Sequence, residues 1–309
     1  MKIVFMGTPD IAVPSLTGLL ERGHEVGMVV TKPDAARDRG RKVKFSPVKE
    51  KALESGIPVL QPERVKGNAE FAAGLSKYAP DMIIVVAYGQ ILPKDVLEIP
   101  RLGCINVHAS LLPRHRGAAP IQSAILSGDE KTGVTIMYME EKLDAGDMLA
   151  KAETEVDSKN AEELHDELAL MGADLLLDTI EKVAAGEAEP VRQDDSLATY
   201  APMIYKKDGH IDFNMDPEAI ERKIRAFDPW PGAFCDYRGK MLKIWKAHVI
   251  DKPCDQPAGT VVSADDDGIV ISCGGRLLAA DVIQMPGKRR MKAGDYLRGN
   301  NIDKYELLR

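Results

Sequence analysis

The sequence predicts an α/β fold: a doubly wound, mostly parallel Rossmann-like sheet, then a linker and a small OB-like β-barrel. Three observations carry this reading. Strand and helix patterns alternate through the first half of the chain. "DMIIVVAYG" is apolar on both faces, as a strand covered by helices on both sides must be. The last third breaks into short β-like runs between Gly and Asp turns. The boundaries that follow are 1–188 for the α/β domain, 189–206 for the linker and 207–309 for the barrel.

"KIVFMG" reads as a buried strand feeding an amphipathic helix over about 9–22, with Ile11, Leu16, Leu19 and Leu20 on its apolar side. "EVGMVV" is the next strand. Ser46 then caps a helix whose first position is Pro47, where a missing N–H costs nothing. "IPVL", a helix near 63–78 and "DMIIVVAYG" follow, then the strand "CINVHAS" and the helix "APIQSAILSG". Beyond Lys131, "GVTIMYMEE" and "DMLAKAETEV" pair around a turn holding "KLDAGD". A Leu- and Ala-rich helix spans about 160–185 and closes at Gly186. "EAEPVRQDDSLATYAPMIYKKDG" has no periodicity and reads as a linker. "DPEAIERKIRAF" is a helix with Asp216 as N-cap and Pro217 in first position. "MLKIWKAHVI", "GTVVSA", "GIVISC" and "RLLAADVI" are the barrel strands.

With 309 residues, 44% apolar and 29% charged, the chain has the material for a sizeable core. Its net charge of −7 is unevenly spread: residues 206–309 hold 18 basic and 16 acidic side chains, against 23 and 32 before them. The acidic part contains a basic island. From Lys32 to Lys51 eight basic residues face three acidic ones, a run that by itself is ordinarily a solvated loop. The four cysteines form no CxxC pair and no metal-ligand spacing, which fits a reduced compartment. "MKIVFMGTPD" is too short an apolar run for a signal peptide, and nothing approaches the roughly 20 apolar residues of a membrane span. A cytoplasmic monomer is expected.

The first strand-to-helix turn, "FMGTPD", has one glycine where a dinucleotide site needs G-x-G-x-x-G, which argues against NAD or FAD. "CINVHAS" is the polar exception among the strands. Strand alternation puts Cys104, Asn106 and His108 on one face, at the carboxyl end where open α/β sheets bind ligands. Taken alone, an Asn-x-His pair is also what a hydrogen-bonded core pair looks like. Cys104 reads as a small buried thiol.

Longer motifs resolve that choice. "GCINVHASLLPRHRGAAPIQSAILSGD" and "TGVTIMYMEEKLDAGDML" closely resemble methionyl-tRNA formyltransferases, as do "GTPD", "SPVK", "AYGQILP" and "RAFDPWPGAF". The resemblance runs nearly the whole chain. It implies transfer of a formyl group from the co-substrate 10-formyltetrahydrofolate to the amino group of methionine on initiator tRNA, with no metal. The positions matching the family's catalytic residues are Asn106, His108 and Asp144. Asn106 and His108 can aim N–H donors at a developing oxyanion, while Asp144 orients the imidazole or a water for proton transfer.

The resemblance further implies a folate site at Ser110, Leu111, Leu112 and Pro113, walled by Tyr88, Gly89 and Ile91. It implies tRNA contacts from Arg39, Arg41 and Lys42 in the basic island, and by their charge Lys206 and Lys207 at the linker's end with Lys288, Arg289 and Arg290 in the second domain are the candidate backbone contacts. The chain departs from the family at "AARD", where members often carry a glycine-rich run before the arginine. "FDPWPG" reads as a rigid, packed corner around Trp230 rather than a platform for a base. Two other readings use much of the same sequence: a folate-dependent formyltransferase acting on glycinamide ribonucleotide or an amino sugar, and a non-catalytic tRNA-binding protein.

Overall fold

The computed structural model describes residues 1–36 and 43–309. The chain divides into two compact units, one built from Met1–Pro120, Lys131–Glu155 and His165–Pro202, the other from Ile121–Glu130, Val156–Leu164 and Met203–Arg309.

In chain order the strands are β1 (Lys2–Gly7), β2 (Glu25–Val30), β3 (Ala35–Ala36), β4 (Val43–Lys44), β5 (Val59–Leu60), β6 (Met82–Val86), β7 (Cys104–His108), β8 (Arg116–Gly117), β9 (Lys131–Tyr138), β10 (Met148–Glu155) and β11 (Tyr200–Ala201). Seven of them form one sheet in the order β10-β9-β7-β6-β1-β2-β5. Strands β5, β2, β1, β6 and β7 are parallel, and the β9–β10 hairpin adds an antiparallel edge next to β7. The helices are α1 (Val13–Glu21), α2 (Pro47–Glu54), α3 (Ala69–Tyr78), α4 (Lys94–Leu97), α5 (Pro120–Ser127) and α6 (Ala161–Ala185).

The sheet is covered on both faces, which is why its central strands lack alternation. On one face Val4, Met6, Ile83, Val85 and Cys104 pack with Phe71 and Leu75 of α3 and Val96 of α4. On the other, Gly172 of α6 lies against Val107, and Gly18 of α1 leaves no room for a methyl beside Leu177 of α6. Alternation along β7 therefore sends Cys104, Asn106 and His108 to the α3 face and Val107 to the α6 face.

Ser46 caps α2 by accepting from the Lys49 N–H at 3.3 Å, with Pro47 in the first turn, as expected. Two helices start later than their apolar pattern predicts. The first opens as a 3-10 turn, Asp10–Ala12, and becomes regular only at Val13, which leaves Pro14 in the first turn where its ring is tolerated. The helix expected near 63 begins at Ala69, because the Asn68 carboxamide caps it by accepting from Phe71 N–H at 3.0 Å.

The second unit contains α7 (Pro217–Ala226), β12 (Ala233–Tyr237), β13 (Lys240–Ile250), β14 (Val261–Asp265), β15 (Gly268–Cys273), β16 (Arg276–Gln284), β17 (Met291–Lys292) and α8 (Ala293–Leu297). Its antiparallel sheet runs β12-β13-β16-β15-β14, with β17 beside β16. Asp216 caps α7 as expected, accepting from Glu218 N–H at 3.1 Å. Ile220 and Ile224 of that helix complete a core with Ile244, Ile271 and Leu278. All four cysteines are free. Among the described residues no helix is long and apolar enough to cross a membrane, and no group of His, Cys, Asp and Glu is arranged to hold a metal.

Candidate active site

The site is built around the carboxyl end of β7. Asn106 and His108 are 8% and 6% exposed, and the Asp144 side chain is 13% exposed, so the three are nearly but not fully withdrawn from water. After His108 the chain folds back on itself. Ser110 N–H donates to His108 O at 2.9 Å, and Ser110 Oγ donates to Arg114 O at 2.7 Å. Thr135 of β9 pins the same turn, donating to Ser110 O at 2.7 Å and accepting from Leu112 N–H at 3.1 Å. Lys151 Nζ adds a third hold by donating to Leu112 O at 2.5 Å. The fold-back brings the His115 carbonyl within 2.9 Å of His108 Nε2.

A carbonyl only accepts, so Nε2 carries the proton and Nδ1 is the nitrogen left for chemistry. Asp144 Oδ2 sits 3.7 Å from that Nδ1, beyond a hydrogen bond. The carboxylate is fixed from the other side by Gly117 N–H at 2.8 Å. Gly117 has φ of 123°, and a Cβ there would strike the Ala201 carbonyl, so the donor that holds Asp144 requires glycine. Asp144 itself has a left-handed φ of 49°. The Asn106 carboxamide has no hydrogen-bond partner among the described residues, leaving two donors beside His108 for a ligand.

Cys104, on the same face, is a core thiol pushed up to about 12 by burial. It is no nucleophile.

The residues expected to hold folate divide. Ser110 is buried and occupied with the turn, Leu112 is buried, and Leu111 lies over Gly133 of β9. Pro113 is half-buried. Tyr88, expected to wall the pocket, is 1% exposed, packs in the α3-face core and has its hydroxyl pushed up to about 12 by burial. Gly89, at φ 77°, has a backbone conformation that favours glycine, while Ile91 stands 66% exposed.

Of the basic residues, Arg39, Arg41 and Lys42 lie outside the described residues. Lys206, Lys207, Lys288 and Arg289 are exposed. Arg290 is already engaged, reaching both Asp228 oxygens at 3.2 and 2.8 Å and stacking on Trp245 at 3.4 Å. Burial lowers the pKa of Lys243 nearby, and the charges of Lys206 and Arg290 lower it further. The "FDPWPG" corner is packed through Phe227 and Asp228, yet the Trp230 indole is 56% exposed, contrary to a corner packed around it.

Sequence reasoning missed Arg116 and Gln193. Arg116 is 1% exposed; its Nε and Nη2 donate to Gln193 Oε1 at 3.0 and 2.8 Å. Gln193 Nε2 in turn donates to Asp144 O at 2.9 Å and Gly146 O at 2.8 Å. Neither residue follows an apolar period; Arg116 stands inside the "SLLPRHRG" motif, and Gln193 in no motif.

Residues 1–180 match the family described as formyl transferase, and residues 203–301 match the formyl transferase C-terminal domain. Over its whole length the chain is 49% identical to a methionyl-tRNA formyltransferase of Caldanaerobacter subterraneus subsp. tengcongensis and 48% identical to one of Clostridium novyi, covering 100% of both chains in each case. The Bacillus subtilis methionyl-tRNA formyltransferase is 46% identical over 99% of this chain and 97% of its own. Among solved structures, WlaRD, a sugar 3N-formyl transferase crystallised with dTDP and 5-N-formyl-THF, superposes with a TM-score of 0.69 at 20% identity, over 94% of this chain and 99% of that one. HypX from Aquifex aeolicus in complex with tetrahydrofolic acid gives 0.63 at 19% identity over 96% of this chain; the chain spans about half of HypX, 47%. At such identities the two structures speak for the fold alone.

Proposed function

The chain belongs to the formyl transferase family, and from that premise we propose that it formylates the amino group of methionine on initiator tRNA, with 10-formyltetrahydrofolate as donor. The end-to-end identity to methionyl-tRNA formyltransferases supports this substrate pair. The observation that carries the chemistry is the meeting of Asn106, His108 and Asp144 at one strand end.

The amine nitrogen attacks the formyl carbon, the C=O becomes an oxyanion, and the carbon is briefly bonded to both nitrogens. Asn106, with free N–H donors, stabilises the oxyanion. His108 Nδ1 takes the proton that the amine sheds, and Asp144 at 3.7 Å stabilises the imidazolium. Collapse of the intermediate breaks the bond to folate N10, which receives the same proton from Nδ1–H. His108 therefore acts as a proton carrier rather than as the oxyanion donor the sequence suggests, because its Nε2–H is committed to His115 O.

Ser110, Leu111, Leu112, Pro113, Gly89 and Ile91 remain the residues proposed to form the folate pocket. Arg39, Arg41, Lys42, Lys206, Lys207, Lys288 and Arg289 remain those proposed to meet tRNA phosphates. Arg290, neutralised by Asp228, contributes less. A cytoplasmic monomer fits a reaction on initiator tRNA in which one chain supplies every named group.

The test is transfer of labelled formyl from 10-formyltetrahydrofolate to charged initiator tRNA, with glycinamide ribonucleotide as control. Rapid labelling of Met-tRNA alone is expected. Equal labelling of the small amine would move the substrate assignment to the small-amine formyltransferases.

A further inference from the structure

Within the stretch expected to be a linker, residues 191–201 are bonded to the segments that flank the catalytic groups. Val191 exchanges two backbone hydrogen bonds with Met148, both 2.8 Å. Gln193 donates to the carbonyls of Asp144 and Gly146. Asp195 bridges Arg116 Nη1 at 2.8 Å and Lys142 Nζ at 3.1 Å, with Lys142 two residues before Asp144. Thr199 accepts from His115 N–H through its Oγ1 at 2.8 Å and from Arg116 N–H through its carbonyl at 2.9 Å. Strand β11 then pairs parallel with β8, and Ala201 O accepts from Ala118 N–H at 2.9 Å.

These bonds converge on two short segments. The first, 115–117, supplies the carbonyl that sets the tautomer of His108 and the N–H that holds Asp144. The second, 142–146, carries Asp144 at its strained φ. Neither segment is helix or long strand, so neither has a backbone ladder of its own to hold it. The groups that contact the pair directly, Gly117 N–H on Asp144 Oδ2 and His115 O on His108 Nε2, are thus carried by segments that residues 191–201 bond to.

We infer that residues 191–201 form a positioning brace for the catalytic pair, with Gln193 and Arg116 as its working residues. This rests on the catalytic assignment of His108 and Asp144 proposed above. Every polar side-chain atom of Gln193 is engaged in the brace. Its amide nitrogen clamps the Asp144 and Gly146 carbonyls, and its oxygen is locked by two Arg116 donors. Arg116 is itself oriented by Asp195. An effective proton carrier needs its partner held to within about half an ångström, so loosening the brace slows turnover without weakening substrate binding.

Gln193→Glu tests this with least disturbance. It is isosteric and keeps an oxygen for Arg116, but it sets carboxylate oxygen against the two carbonyls. The expected result is a kcat lowered about 10-fold or more, KM for folate donor and Met-tRNA within about twofold, and a normal circular dichroism spectrum. Because Gln193 acts through Asp144, adding Gln193→Glu to Asp144→Asn is expected to change kcat by less than about twofold.

A kcat within twofold of the parent for Gln193→Glu, or the same fold-loss in both backgrounds, overturns the brace. Should Gln193→Glu fail to fold, Asp195→Asn at the exposed end carries the test. It is expected to lower kcat at constant KM, with recovery in Asp195→Glu, and unchanged kcat overturns the proposal. If Asp144→Asn alone leaves kcat intact, the catalytic assignment falls instead, whatever Gln193 does.

Discussion

Residues 104–108 and residues 191–201 serve the same site by different physical means. The first is a strand at the centre of a sheet. Its geometry comes from ladders to β6 and β9 and from packing under α3 and α6, so Asn106 and His108 are aimed by the fold itself. The second has almost no ladder and no apolar face, with Val191, Leu197 and Tyr200 all largely exposed. It is held by scattered backbone bonds at Val191, Thr199 and Ala201, the Gln193 amide, the Thr199 hydroxyl and the Asp195 ion pairs. A central strand fixes direction through its own ladder, whereas a catalytic loop off the sheet needs polar bonds from elsewhere.

The largest effect should come from the strand side. His108→Ala or Asp144→Ala is expected to slow turnover roughly 10²–10⁴-fold, about 3–5 kcal/mol of barrier, in a folded protein. Steady-state assay of purified variants decides this, and a loss under tenfold removes the residue from the catalytic set. Asn106→Ala is expected to cost about 10²–10³-fold in kcat if its amide meets the oxyanion. An effect confined to KM would place it on the substrate's ground state instead.

Brace substitutions should rank below these. Thr199→Val deletes the acceptor of His115 N–H while keeping the shape, and a loss of about 3–10-fold in kcat at steady KM is expected. If Thr199→Val matched His108→Ala, the distinction between aiming and bracing would not hold. Arg39→Ala is expected to leave the chemical step alone, raise KM for Met-tRNA and flatten its salt dependence.

The smallest effect concerns pH. The Asp195 carboxyl is held below the usual carboxylate range by Arg116 and then Lys142, and that of Asp81 by the Lys2 N–H and Arg101. A carboxyl depressed in the folded state contributes stability that is present above its unfolded pKa, near 4, and is lost as pH falls through the lower folded value. The thermal midpoint should therefore drop as pH goes below about 4, and less steeply in Asp195→Asn. A variant whose midpoint tracks the parent at every pH would show that the Arg116–Asp195 pair adds nothing.

The two regions also differ in how far they could be read from sequence. Period-two alternation in "CINVH" and the apolar run of β6 follow from burial, so strand, face and sheet end were legible in the residues alone. Asp144 was legible only through a family motif, since a left-handed aspartate in a loop leaves no period behind. Gln193 and Arg116 were not legible. A buried Arg–Gln pair is set by long-range contact, 77 residues apart, and the stretch around Gln193 has no period and reads as a linker. Tyr88 is the opposite case. Its place in "AYGQILP" pointed to a pocket, but the residue completes the core under α3 and α4.

The most direct measurement is the kcat of His108→Ala, Asp144→Ala and the double variant, on charged initiator tRNA. If the imidazole and carboxylate work as one proton-carrying unit, the double variant loses no more than about twofold beyond the worse single one. Fold-losses that multiply would mean two groups acting independently, and the proton-carrier mechanism would be wrong.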